Sequence, residues 1–163
     1  MQLMVMQYMK MTPDFDAMNL IDDYFQKEAR KMGKRVGGFE TAEFQLNLLY
    51  SSKSMEEERE ELMELVDNND EVLEQMQAMT DAYFTFDIKA IDSLTAAELE
   101  SGSMSAEEFA AMLTDRNHRW VEAMPQIMHE APTLFVVGAG HLPGSEGVLK
   151  LLKEAGYKVK AVK

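Results

Sequence analysis

The sequence predicts an α/β domain dominated by helix, with a small, mostly parallel sheet and a terminal βαβ unit. Three observations predict it. Apolar residues recur at three- and four-residue spacing through most of the chain, as on amphipathic helices. Thr133–Val137 (TLFVV) is a short run rich in β-branched and aromatic residues, read as a buried strand. A Gly-rich loop, a helix and a second strand then follow within about thirty residues, which is the layout of parallel strands joined by a crossover helix.

The elements follow in order. Met1–Met11 (MQLMVMQYMKM) lacks a basic start, a continuous apolar stretch and a small-residue cleavage site, so it reads as a short amphipathic helix and not as a secretory signal. Thr12-Pro13 starts a helix, with a hydroxyl cap and proline at the first helical position. Phe15, Met18, Ile21, Phe25, Ala29 and Met32 share its apolar face, and Gly33 stops it. Arg35–Phe39 is the first expected strand. Thr41 caps a second helix carrying Phe44, Leu48 and Leu49. Ser54 with Glu57, Thr95 with Glu98 and Ser105 with Glu108 each have capping-box spacing. Between the first two, a polar turn at Asp67–Asp70 interrupts a helical pattern, with Val72, Met76, Met79 and Tyr83 on one stripe. The third box opens a long helix to about Met128, which Pro125 should kink near its end. Ser145 is placed to cap a helix through Ala155, which Gly156 ends, and Lys158–Val162 is the last expected strand.

Composition bounds the function. The chain has 163 residues, a length that suits one domain, 1–163. Its 16 Lys+Arg against 29 Asp+Glu give a net charge of -13, which disfavours a nucleic-acid partner. No apolar run approaches the ~20 residues a membrane helix needs. The absence of cysteine excludes disulfides, Cys-ligated zinc, iron–sulfur clusters and thiol nucleophiles. With only His118, His129 and His141 present, a metal site would have to lean on carboxylates. The 15 methionines read as adaptable core filling. The sequence assigns no compartment.

Three polar residues stand out. His141 ends Gly138-Ala139-Gly140-His141, in the loop after the TLFVV run, where open α/β sheets place ligands. Pro143 stands where a dinucleotide fingerprint needs glycine, and no phosphate-loop Gly-Lys-Ser/Thr follows. A metal ligand, a general base and a loop histidine bonded to backbone all remain open for His141. Glu40 likewise ends an expected strand, after Gly37-Gly38-Phe39. Parallel strands would bring it to the same sheet edge as His141, although a carboxylate there also complements the dipole of the helix that Thr41 caps. Arg116 falls within about 20° of Phe109 on the stripe formed by Phe109, Leu113, Trp120, Met124 and Ile127. A guanidinium in that position either finds a carboxylate, with Glu40 a candidate, or snorkels to water. Asn117 flanks it, and His118 and His129 face outward, too far apart for one metal.

Val137–Val162 (VGAGHLPGSEGVLKLLKEAGYKVKAV) resembles the C-terminal signature of the TraB/GumN family, which is related to the Tiki proteins. Lys34–Leu49 resembles that family's Gly-Lys-x-Val-x-Gly-Leu-Glu-Thr-x-x-x-Gln segment, with Gly33, Lys34, Glu40, Thr41 and Gln45 in place. Asp22, Tyr24 and Phe25 resemble the segment before it. Asp115–Trp120 resembles its Arg-Asn-x-x-Trp helix. The resemblance implies a metal-dependent, peptidase-like hydrolase acting on a peptide or protein, with Glu40, Arg116 and His141 at the site. It implies a metal, and one bound by His141 nitrogen and Glu40 carboxylate oxygen would have a mixed donor set compatible with zinc, manganese or cobalt. The family pattern also has an earlier Gly-x-x-His that this sequence lacks. The expectation is therefore the C-terminal portion of such a domain, with an incomplete active site and a sheet edge left for a homodimer to cover. The alternative is a non-catalytic peptide-binding or regulatory domain of the same fold.

Overall fold

The computed structural model describes residues 20–50, 54–102 and 104–162. Met1–Met11 and the Thr12-Pro13 helix start lie outside them. Helix α1 (Ile21–Lys31) carries Asp22 and Asp23 in its first turn and Arg30 and Lys31 in its last, matching the helix dipole at both ends. It ends at Gly33, whose φ of +66° suits glycine. Helix α2 (Ala42–Tyr50) is capped by the Thr41 hydroxyl, which accepts from Phe44 N at 3.1 Å. Helix α3 (Met55–Asp67) opens on the Ser54–Glu57 box, with the bonds running in both directions.

Helices α4 (Asn69–Phe84) and α5 (Ile88–Glu100) pack together and bury Ala82 and Ile91. Thr95–Glu98 is not a helix start. Asp87 caps α5 by accepting from Lys89 N and Ala90 N, and Thr95 lies mid-helix with its hydroxyl bonded to Ile91 O at 2.8 Å. The spacing of a capping box also arises inside a continuous helix, and the stronger upstream cap decides the boundary.

The Ser105–Glu108 box does open a helix. It runs as α6 (Ala106–Phe109), a π-helical turn (Ala110–Thr114) and α7 (Asp115–Glu130), with Pro125 inside α7. After a short 3₁₀ turn, Ala139–His141, comes α8 (Val148–Glu154), whose N-cap is Gly147 and not Ser145. Gly156, at φ +90°, closes it, with Tyr157 N bonded to Leu152 O at 3.0 Å.

The expected sheet is not formed. Among the described residues there is no strand, and 34–38, 132–138 and 157–162 have no regular secondary structure. Neither the parallel pair nor the terminal βαβ unit exists there. β-propensity describes how a side chain suits a pleated, half-buried surface, and a strand also needs a neighbour to take its N–H and C=O groups. The 132–138 segment contacts its surroundings through side chains instead. Phe135 and Val137 pack on the core while Leu134 is 67% and Val136 40% exposed, so the run is neither a strand nor buried on both sides as expected.

The core is the seam between α7 and α8. Trp120, Val121 and Met124 meet Val148 and Leu151, with Phe39, Met128, Phe135, Val137 and Leu152 at the rim. Phe39 stacks on both Trp120 (ring centroids 5.7 Å apart) and Phe135 (5.6 Å). That stack pins the 34–40 segment to α7 and fixes where the next residue, Glu40, emerges. No helix among the described residues is long and apolar enough to cross a membrane.

Candidate functional site

Glu40 enters beside α7 with its side chain only 6% exposed. Its Oε1 accepts from Arg116 Nε at 2.9 Å and from Trp120 Nε1 at 3.1 Å. Its Oε2 accepts from Arg116 Nη2 at 2.9 Å and Gln45 Nε2 at 3.2 Å. The Arg116 pair is the two-pronged guanidinium–carboxylate geometry, the strongest form of such a contact. Burial pushes the Glu40 carboxyl up, but bonds from Arg116, Gln45 and Trp120, with the charge of Arg116, together hold it below its ordinary range. The carboxylate is therefore ionised and fully engaged.

Arg116 follows the π-helical turn, a feature that collects at functional sites. Its Nη1 donates to Met112 O at 3.0 Å and lies 3.4 Å from His141 Nε2. Its guanidinium stands 4.8 Å from the Trp120 ring centre, on the ring face. Arg119 reaches the same carboxylate more loosely, with Nη2 3.8 Å from Glu40 Oε1.

His141 is 8% exposed, with its ring 4.4 Å from that of Trp120. Its Nδ1 meets Asn117 Oδ1 at 2.7 Å, and Asn117 Nδ2 donates to Glu146 O at 2.8 Å. A backbone carbonyl can only accept, so the amide must present nitrogen to Glu146 and oxygen to the imidazole. His141 therefore carries its proton on Nδ1 and leaves Nε2 bare toward Arg116. Burial, and then the positive charge of Arg116, push its pKa down to about 4, with Glu40 opposing. The ring is neutral at neutral pH.

All three residues singled out from the sequence converge, though not by the expected route. No parallel strands carry Glu40 and His141 to one edge. Arg116 joins them, from a helix that packs under both. Asn117 and the Trp120 N–H, both within the Arg-Asn-x-x-Trp resemblance, are members of the site to which the sequence reading gave no role. One read as a flanking residue and the other as core, yet Asn117 is only 3% exposed. A buried amide beside a buried arginine is a signal that could have found it. Of the outward histidines, His118 pairs with the Glu146 side chain.

The donor set does not fit the expected divalent metal as arranged. Among the described residues no three His, Asp or Glu side chains are grouped to hold one ion. Both oxygens of Glu40 are taken by N–H donors, and a guanidinium faces the bare nitrogen of His141.

The fold, the site and the sequence signature together define a class. The chain matches the TraB/PrgY/gumN family over residues 1–161, essentially its whole length, and it belongs to that family. No curated protein matches it, and no solved structure does.

Proposed function

We propose that Glu40, Arg116 and His141 form the polar part of a hydrolase-type site for peptide substrates. The observation that supports this reading is their meeting in one network from three separate segments, with Arg116 bonded to residues 76 and 25 positions away. The chemistry of each group limits its role. An imidazole with a pKa of about 4 is a weak general base at neutral pH, and its unprotonated Nε2 faces Arg116 Nη1 at 3.4 Å, so a water or substrate amide would have to replace that contact to bond there. Arg116 has one Nη2 hydrogen not committed to the contacts above, which can polarise a substrate carbonyl or stabilise its developing negative charge. Glu40 holds the guanidinium in place and takes no direct part.

A second reading has its own support. Four donors on Glu40 and the near-complete engagement of Arg116 leave few groups free for chemistry, which favours a non-catalytic peptide-binding or regulatory domain. The two readings separate in one experiment. A mixed peptide library is incubated with the wild type, His141→Ala and Arg116→Lys, with and without zinc, manganese or cobalt salts, and cleavage is read by mass spectrometry. Cleavage by the wild type that both variants lose supports the hydrolase. Absence of cleavage, with peptide binding that both variants lose, supports the binding domain.

A further inference from the structure

We infer that the Arg116 guanidinium is the built-in cation of this site, occupying the position between Glu40 and His141 that a divalent ion would need. The claim concerns what the site holds and is independent of whether peptides are hydrolysed there.

Three observations carry it. The first is donor bookkeeping. Glu40 accepts Arg116 Nε and Nη2 at 2.9 Å each, and its remaining capacity goes to Trp120 and Gln45. A carboxylate with both oxygens so engaged has no favourable lone pair to offer a metal unless those N–H groups are left unpaired in a buried place. The second is charge. Glu40 carries one negative charge and Arg116 one positive, while His141 is neutral, so the cluster is already balanced. Arg119, 3.8 Å from Glu40 Oε1, adds further positive charge. A dication would enter against two guanidiniums, with no uncompensated anion to attract it. The third is geometry. One planar group spans both partners at once, with Nε and Nη2 on the carboxylate and Nη1 directed at His141 Nε2 at 3.4 Å. Only arginine has this fixed fork. Lysine would supply the charge at one point and lose the span.

The Asn117–His141 contact sharpens the point. Donation of Nδ1–H to a fixed acceptor is also how metal-binding histidines are oriented. Here the nitrogen it exposes faces a guanidinium. The ring is presented as a ligand, and the residue in the ligand position belongs to the protein.

The test follows the ring nitrogens of His141 and the Arg116 Nε–H by nitrogen-15 NMR while zinc chloride is added to the full chain. In the wild type, His141 and Arg116 signals should stay in place at tenfold excess zinc, while exposed His118 and His129 serve as internal reporters of loose binding. Arg116→Met should gain a saturable zinc response at His141, at least tenfold tighter than in the wild type. The double variant Arg116→Met/His141→Ala should lose it. Movement of the wild-type His141 signals at any point up to tenfold excess zinc would overturn the inference, and that measurement requires no variant to fold. A folded Arg116→Met protein whose His141 binds zinc no better than the wild type would overturn it as well.

Discussion

Asn117 Oδ1 lies 2.7 Å from His141 Nδ1, and this contact decides which ring nitrogen is bare. Its direction is set one step away, where the amide nitrogen is committed to the Glu146 carbonyl at 2.8 Å. Asn117→Asp removes that donor and sets a carboxylate against Nδ1–H. The expected result is a His141 pKa moved up from about 4 toward its ordinary value, read by NMR titration. Asn117→Ala leaves a buried N–H unpaired and should cost about 1–3 kcal/mol in urea unfolding. An unchanged His141 titration in Asn117→Asp would show that the amide does not control the ring.

The same histidine makes stability pH-dependent. In the folded chain it takes up a proton only near pH 4, whereas unfolded it does so near 6.5. Between those values the unfolded state binds more protons, so stability rises with pH through that window and is complete above 6.5. Acidification from 6.5 to 4 should remove about 3 kcal/mol at most. Glu40, held below its ordinary range, contributes stability that is lost at still lower pH, with the same sign. Urea midpoints measured from pH 4 to 8 should fall on the acid side for the wild type and fall less for His141→Gln. Parallel curves for the two proteins would exclude His141 as the source.

What the sequence made legible was local or chemical. Thr41, Ser54 and Ser105 cap helices because a hydroxyl three residues before a backbone N–H needs nothing beyond its own turn. Periodicity places Arg116 on the buried stripe, and an interior charge requires a carboxylate partner, for which Glu40 is a candidate. The sheet was not legible in the same way. TLFVV has the β-branched and aromatic composition of a strand, but pairing depends on a neighbouring backbone that no local pattern guarantees. The π-helical turn at Ala110–Thr114 was also invisible to a count at 100° per residue, since it arises from how the segment packs. The role of Asn117, which the sequence marks only as a neighbour of Arg116 and a position of the Arg-Asn-x-x-Trp resemblance, is hidden for a related reason. Its importance lies in contacts with residues 24 and 29 positions further along the chain.

Trp120 joins the core and the site in one side chain, and the two contributions are separable. Its ring stacks on Phe39, and its N–H donates to Glu40 at 3.1 Å. Trp120→Phe keeps most of the aromatic surface and removes the donor to a charged acceptor, for an expected loss of about 1.5–3 kcal/mol. Trp120→Ala also removes the ring from under Phe39 and His141 and should cost about 3–5 kcal/mol. Chemical denaturation of both variants checks the order. Equal losses would mean that the ring adds nothing beyond the N–H, and a Trp120→Phe protein as stable as the wild type would mean that the N–H adds nothing beyond packing.

The loop that delivers His141 to α8 has one position with no room for a side chain. A Cβ on Gly147 would lie 1.8 Å from the Pro143 carbonyl oxygen and 2.6 Å from that of Leu142. Both are backbone atoms, so relief requires the loop itself to move. The φ of Gly147 is -78°, which any residue tolerates, so the constraint is space and not backbone conformation. Leu149 N also bonds to Leu142 O across this turn, and Leu142 follows His141 directly. Gly147→Ala should therefore cost about 1–3 kcal/mol, the range of overpacked sites, and also disturb the imidazole. Gly140→Ala is the matched control, because a Cβ there meets nothing within 4 Å. Thermal unfolding should separate the two variants, and His141 ring signals should shift in the first far more than in the second. A Gly147→Ala protein as stable as the control would show that the 142–147 turn yields more readily than its packing implies.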